Sequence, residues 1–363
     1  MKLTSLSIIA VVMFFVYSPV SMATPTANNT LTTNATRSFT VPPVIAQRAT
    51  VPSEFSYLDM VGQKLDTKIN TPLPRNVDQA DSMDFNSSAA NSNHVNSRMS
   101  RRATFYASYK KVKELKGYAQ NAANAYCRSV VPMNTWVCEH CSRDESLVST
   151  FKSGSLDTNG YIIRNDKTGI ISLVFRGTSS FANVIADADF SPTSYPPVKG
   201  TNVHNGFYNA YMSVQKDVLS EMTQQITDYP HYRVVVTGHS LGGALAILGG
   251  LDLFQRDSRF DAWNLSIVTF GGPRVGDPAF AHYVVRTGIP ITRVIHNQDI
   301  VPHVPPQYLG FLHPGTEYWI TDEDRVKICR SELDSSQCSN SIVPFTKLRD
   351  HLTYFGIDTG TCT

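Results

Sequence analysis

The clearest apolar pattern lies between residues 234 and 251. Val234, Val235 and Val236 form a β-branched run that predicts a buried strand. Ala244, Leu245, Ala246, Ile247, Leu248 and Leu251 follow as an apolar stretch that predicts a helix. Between them stands Gly238-His239-Ser240-Leu241-Gly242. A Gly-x-Ser-x-Gly between strand and helix is the setting of a nucleophile elbow, a strained turn that lifts the serine hydroxyl clear of the sheet. Gly238 and Gly242 suit such a turn because a Cβ at either position would collide across it.

Elsewhere the pattern is more ordinary. Phe105, Tyr109, Val112, Leu115, Tyr118, Ala119, Ala122 and Tyr126 recur at helical spacing and predict an amphipathic helix ending beside Cys127. Residues 162–163 and 170–175 read as strands divided by a turn. Phe181, Val184, Ile185 and Ala188 fall on one face of a short helix, with Asn183 and Asp187 opposite. That helix lies between Gly177-Thr178-Ser179 and a proline-rich stretch. The setting suits a mobile lid and a fixed surface helix equally. Phe207, Tyr211, Val214, Val218, Met222 and Ile226 predict one long helix over residues 206–226. Strands are expected at 265–270 and 291–295, with a helix at 280–285. This alternation implies an α/β protein, its largely parallel sheet flanked by helices on both faces. Chemistry in such sheets sits beyond the carboxyl ends of the strands, where Thr178, Ser240 and Asp299 all fall.

The N-terminal part departs from this pattern. Lys2, an apolar core over residues 8–16 and Ser21-Met22-Ala23 predict a secretory signal over residues 1–23. The core is too short to span a bilayer, and a retained anchor is the weaker alternative. Residues 24–102 are rich in Asn, Thr, Ser and Pro and close on Arg101-Arg102, which predicts a removable pro-segment rather than a retained arm. The catalytic domain is then 103–363. It holds all six cysteines, Cys127, Cys138, Cys141, Cys329, Cys338 and Cys362, an even number that favours three disulfides in an exported chain. A redox or zinc role for Cys138-Glu139-His140-Cys141 lacks a thioredoxin-like context or a second ligand pair. A net charge of +2 with 17% charged residues gives no field for nucleic acid. Nothing calls for a metal or cofactor, no stretch calls for a transmembrane segment, and a monomer is expected.

A serine hydroxyl needs a base within hydrogen-bond reach, and the base needs an acceptor that fixes its tautomer. In hydrolases of this topology the chain order is Ser, Asp/Glu, His. Asp277 reads more simply as a turn or helix-cap residue. Asp299 follows a strand and precedes the rigid Ile300-Val301-Pro302. Among downstream histidines, His303 is hemmed in by prolines. His351, near the chain end, ranks ahead of His313, which stays open. His239 reads as structural. Leu241 opens the predicted helix, so its N–H is aimed where an oxyanion would form.

Six segments carry a family resemblance: Gly238-His239-Ser240-Leu241-Gly242-Gly243, Val174-Phe175-Arg176-Gly177-Thr178, Val203-His204-Asn205-Gly206-Phe207, Pro273-Arg274-Val275-Gly276-Asp277-Pro278-Ala279-Phe280, Asp299-Ile300-Val301-Pro302-His303 and Asp350-His351. Together they resemble the secreted class 3 lipases of filamentous fungi, of the Rhizomucor/Rhizopus triacylglycerol lipase type. The resemblance covers roughly residues 104–363. It implies an α/β-hydrolase fold, with Ser240 as nucleophile, Asp299 as acid and His351 as base. It implies an oxyanion hole from Thr178 and Leu241, with Asp187 orienting the Thr178 hydroxyl. It further implies disulfides Cys127–Cys362, Cys138–Cys141 and Cys329–Cys338. Residues 181–188 become a lid that opens at a lipid–water interface, its apolar face joining Phe190, Phe207, Val301 and Val304 around an acyl chain. Val184 and Ala182 stand where several relatives carry a bulky aromatic and a basic residue, which implies weaker interfacial activation. Arg349 stands where an apolar residue is usual.

Overall fold

The computed structural model describes residues 105–154, 156–178, 189–322, 325–329 and 331–362. The expected signal, pro-segment and lid, including Phe181, Val184, Ile185 and Ala188, lie outside the described residues. In chain order the main elements are β1 (Phe105–Tyr106), α1 (Tyr109–Asn124), β2 (Ser146–Lys152), β3 (Asn159–Asn165), β4 (Ile170–Phe175), β5 (Pro192–Ser194) and β6 (Asn202–His204). There follow α2 (Asn205–Met212), α3 (Gln215–Asp228), β7 (Arg233–His239), α4 (Leu241–Arg256), β8 (Leu265–Phe270), α5 (Pro278–Arg286), β9 (Ile291–His296), β10 (Thr316–Asp322) and β11 (Arg325–Cys329).

Nine strands form one sheet in the order β1-β11-β10-β9-β8-β7-β4-β3-β2. Its centre, β4 with β7, β8, β9 and β10, is parallel. Both margins are antiparallel. Strand alternation divides β7 between two cores. Val234 and Val236 pack with Ile267, Leu245, Met222 and Phe280 on one face. Val235 turns to the other, with Val268, Phe270 and the α1 residues Leu115, Ala119 and Ala122. The expected sheet with helices on both faces is therefore present.

Three sequence expectations are corrected. Phe105 is not helical: it pairs with Ile328 in β1. Ser108 caps α1 instead, accepting from the N–H of Lys111, so the helix starts after the first apolar residue of the pattern. The long helix over 206–226 is two helices, α2 and α3. Ser213 turns its hydroxyl back onto the Ala210 carbonyl at 2.7 Å, and Val214 leaves helical geometry at φ −122°, ψ −2°. Both halves still bury their apolar face, with Phe207, Tyr211, Val218, Met222 and Ile226 in one core. Finally, the structure adds strands that the apolar pattern does not predict: β2, β5, β6, β10 and β11.

The cysteines pair as Cys127–Cys362, Cys138–Cys141 and Cys329–Cys338. The Cys138-x-x-Cys141 stretch is thus a local bridge. Cys127–Cys362 spans 235 residues and fastens the chain end to the turn after α1, a closure worth up to about 5 kcal/mol in the chain-entropy view. No described helix is long and apolar enough to cross a membrane.

Candidate active site

Ser240 stands between β7 and α4 at φ +61°, ψ −130°. A non-glycine residue rarely adopts this backbone, and the turn holds it there. The Ser240 N–H donates to the Phe270 carbonyl at 2.9 Å. Added side chains at the flanking glycines would meet backbone: a Cβ on Gly238 would lie 2.3 Å from the Gly242 carbonyl oxygen, and one on Gly242 2.2 Å from that of Phe175. The Ser240 side chain is buried, and its Oγ makes no hydrogen bond among the described residues. Nucleophile–base contacts are often loose in the absence of substrate.

Asp299 follows β9, fully buried. Its Oδ1 accepts from the Val301 N–H at 2.8 Å. Its Oδ2 accepts from His351 Nδ1 at 2.8 Å and from the Tyr354 hydroxyl at 2.5 Å. With Nδ1–H committed to the carboxylate, Nε2 is the basic nitrogen of His351. Of the downstream histidines, His351 is thus the one held on Asp299. His313 donates from Nε2 to the Pro302 carbonyl at 2.8 Å, and His303 faces the Asn340 amide oxygen at 2.9 Å.

His239 has the structural place expected of it. Its ring stacks on His351, with centroids 4.4 Å apart. Its Nε2 donates to the His351 carbonyl at 2.9 Å. Nδ1 therefore accepts, and the Tyr126 hydroxyl donates to it at 2.9 Å. Burial, with the neighbouring His351 adding to it, holds the His239 imidazole well below its ordinary pKa, so the ring is neutral.

Thr178 lies half-buried three residues past the end of β4. Gly177 brings this strand exit against the elbow: a Cβ there would stand 2.6 Å from the His239 carbonyl oxygen and 2.9 Å from Ser240 Cβ. Leu241 is the first residue of α4, and its N–H precedes any intrahelical acceptor. Asp187 lies outside the described residues.

The four expected acyl-pocket residues fall in two groups. Phe190 and Phe207 flank the His204 ring, Phe207 stacked at 3.8 Å and Phe190 edge-on at 6.3 Å. His204 Nδ1 caps α2 by accepting from the N–H groups of Gly206 and Phe207, and burial lowers its pKa to about 4. Val301, fully buried, and Val304, partly buried, stand on the turn after Asp299. Asp277 is the helix cap its sequence suggested, accepting from the Phe280 N–H at 2.7 Å.

Sequence reading missed two contributors. Tyr354 donates to Asp299 from three residues past His351. Gly271 has φ +58°, and a Cβ on it would lie 2.7 Å from Asp299 Oδ2 and 2.8 Å from His351 Nδ1. The Gly271-Gly272 pair ending the β8 stretch was the available signal, since paired glycines after a strand mark a turn or a close approach.

A serine on a strained elbow, together with a buried Asp–His pair at the ends of parallel strands, defines a serine ester hydrolase of the α/β-hydrolase fold. Within that class the chain belongs to the class 3 lipases. Residues 172–309 match the model of the family Lipase (class 3). The chain is 46% identical to a lipase of Rhizomucor miehei over 328 residues, covering 89% of this chain and 90% of that one. It is 54% identical to a lipase of Rhizopus niveus over 255 residues, covering 69% of this chain and 65% of that one. The solved structure of Rhizomucor miehei triacylglyceride lipase superposes with a TM-score of 0.71 at 50% identity, over 72% of this chain and all of that one.

Proposed function

We propose that the chain is a secreted triacylglycerol lipase that hydrolyses long-chain acylglycerol esters through an acyl-serine intermediate. The observation that carries this reading is the Asp299–His351 hydrogen bond of 2.8 Å, with His239 of the strained Ser240 elbow stacked on the His351 ring. His351 Nε2 takes the Ser240 proton as Oγ attacks the ester carbonyl carbon. Asp299 holds the imidazole in the required tautomer and balances the imidazolium. The Leu241 N–H and Thr178 stabilise the tetrahedral oxyanion. Collapse breaks the acyl–oxygen bond, and the departing alcohol takes the proton from His351. Water, activated by the same imidazole, then releases the fatty acid and restores Ser240.

Residues 181–188 form the lid in this reading. Phe190, Phe207, Val301 and Val304 line the path of the acyl chain. Residues 1–23 direct export, and 24–102 are a pro-segment removed after Arg101-Arg102. The enzyme works as a monomer at the lipid–water interface. Three disulfides favour an oxidising compartment. The alignment with the Rhizomucor miehei lipase, spanning 89% of the chain, reaches well ahead of residue 101, and a solved Rhizomucor miehei lipase structure is a propeptide complex, which together support a pro-segment here.

Hydrolysis of an emulsified long-chain triacylglycerol, compared with that of a soluble short-chain ester and a feruloyl ester, tests the proposal. Preference for the emulsion, with a rate jump above the substrate's solubility limit, is the expected result. Preference for the feruloyl ester, or equal rates across the solubility limit, would overturn it.

A further inference from the structure

We propose that residues 343–352 form a fixed docking strip for an anionic lipid surface, set at the rim of the Asp299–His351 pair. The proposal deepens the lipase reading and rests on it. The strip presents apolar side chains to solvent: Val343, Phe345, Leu348 and Leu352 are all exposed, Phe345 at 75% and Leu352 at 50%. Scattered exposed apolar residues need no explanation, but four within ten residues, beside a buried catalytic pair, make a patch. A second apolar outcrop adjoins it. Tyr308 and Leu309 are exposed on the turn after Pro305. The Arg274 guanidinium ties the two segments, donating to the Pro305 carbonyl at 3.0 Å and to the Asn340 amide oxygen at 3.1 Å.

Lys347 and Arg349 interleave with these apolar residues. Both are exposed, and neither forms an ion pair among the described residues. The carboxylates within and behind the strip are engaged by the fold, while Asp358, paired with Thr353 just past it, stays exposed. Asp350 Oδ2 accepts from the Gln298 N–H at 3.0 Å. Asp299 is buried, and the buried Asp334 side chain is paired with Arg274 at 2.8 Å. Residues 343–352 themselves thus present two exposed cations and no fully exposed carboxylate, an excess of positive charge. Aromatic and aliphatic side chains between cations suit a surface whose headgroups are anionic and whose interior is hydrocarbon, with the long basic stems lying along the apolar layer. Ester hydrolysis leaves fatty-acid carboxylates in the same surface, so the reaction would itself enrich the matching charge.

The strip is also held in place. The Lys347 N–H donates to the Gln298 carbonyl at 2.6 Å, and the His351 N–H closes a tight turn on the Leu348 carbonyl at 3.1 Å. Docking through it would set the rim of the site on the lipid.

Binding to vesicles of phosphatidylcholine, with and without phosphatidylglycerol, tests the proposal at low and high salt. Phosphatidylglycerol should raise the partition coefficient of the unsubstituted protein, and salt should reverse the gain. The Lys347→Gln/Arg349→Gln variant should bind the anionic vesicles about 30-fold more weakly, at roughly fivefold per basic residue, while its binding to phosphatidylcholine alone stays unchanged. Phe345→Ser should weaken binding to both. An unchanged thermal midpoint in each variant shows that the fold is intact. Equal binding of the unsubstituted protein to both vesicles, or no loss in the double variant, would overturn the strip. Hydrolysis of emulsified triacylglycerol by the unsubstituted protein separates the two readings. Hydrolysis without anionic preference removes the strip alone. Anionic preference lost in the double variant, without any hydrolysis, keeps the strip and removes the lipase reading.

Discussion

Gly271 packs its bare Cα against the two side chains that define the site, and no other residue fits there without moving them. Gly271→Ala is therefore expected to lower kcat/KM toward any ester by about 100-fold, the scale of a misplacement near 1 Å. It should also destabilise the fold, because φ +58° is unfavourable for a residue with a Cβ. Steady-state kinetics with a soluble ester and urea unfolding measure the two effects. A variant with unsubstituted kinetics would mean that the Asp299–His351 pair tolerates displacement. Gly271 and Tyr354 show what the sequence leaves illegible at this scale. Their partners lie far along the chain, Tyr354 meeting Asp299 across 55 positions, and no local pattern marks them. Ser240 was legible because strand, turn and helix meet within a dozen residues. Asp299 was legible because it follows a strand directly. His351 needed elimination among three histidines, with the resemblance favouring the same one. Asp187 and the lid positions are legible as a pattern but lie outside the described residues.

At the level of elements, legibility followed the length and continuity of the apolar period. The β7–α4 unit was readable end to end, since almost every position in it is buried. The α2–α3 boundary was not, because Phe207, Tyr211, Val214 and Val218 keep helical spacing across a real break. The margins of the sheet were hardest. In β2 only Phe151 is fully buried, so that strand carries almost no alternation to detect. The elbow also sets a tight element-level limit. Gly242 lies in the first turn of α4, where alanine would normally favour a helix by about 1 kcal/mol. Here its Cβ would press on the Phe175 carbonyl, backbone that cannot swing aside. Gly242→Ala should thus cost about 3 kcal/mol, the upper range of overpacking. Chemical denaturation measures it, and a stabilised variant would contradict the close β4–α4 approach.

For the molecule as a whole, the buried histidine beneath the site couples stability to pH. The His239 pKa is pushed down in the folded protein by burial, with His351 adding to it, whereas the unfolded chain titrates near 6.5. The unfolded state therefore binds the extra proton as pH falls below about 6.5, and stability is lost in that direction. His239 should contribute up to about 1.4 kcal/mol of loss per pH unit below that point. Urea midpoints measured from neutral to mildly acidic pH should fall less steeply in His239→Gln than in the unsubstituted protein. Identical slopes would mean that the imidazole is not held neutral.

The account rests on three residues from distant parts of one chain acting as a unit, and an ester-mimicking phosphonate interrogates that unit directly. Peptide mapping after reaction should find one adduct, on the segment containing Ser240. Labelling should slow by at least about 10⁴-fold in His351→Ala, as expected when a base is removed from a serine triad. An adduct elsewhere, or labelling of Ser240 at an undiminished rate without the His351 imidazole, would contradict it.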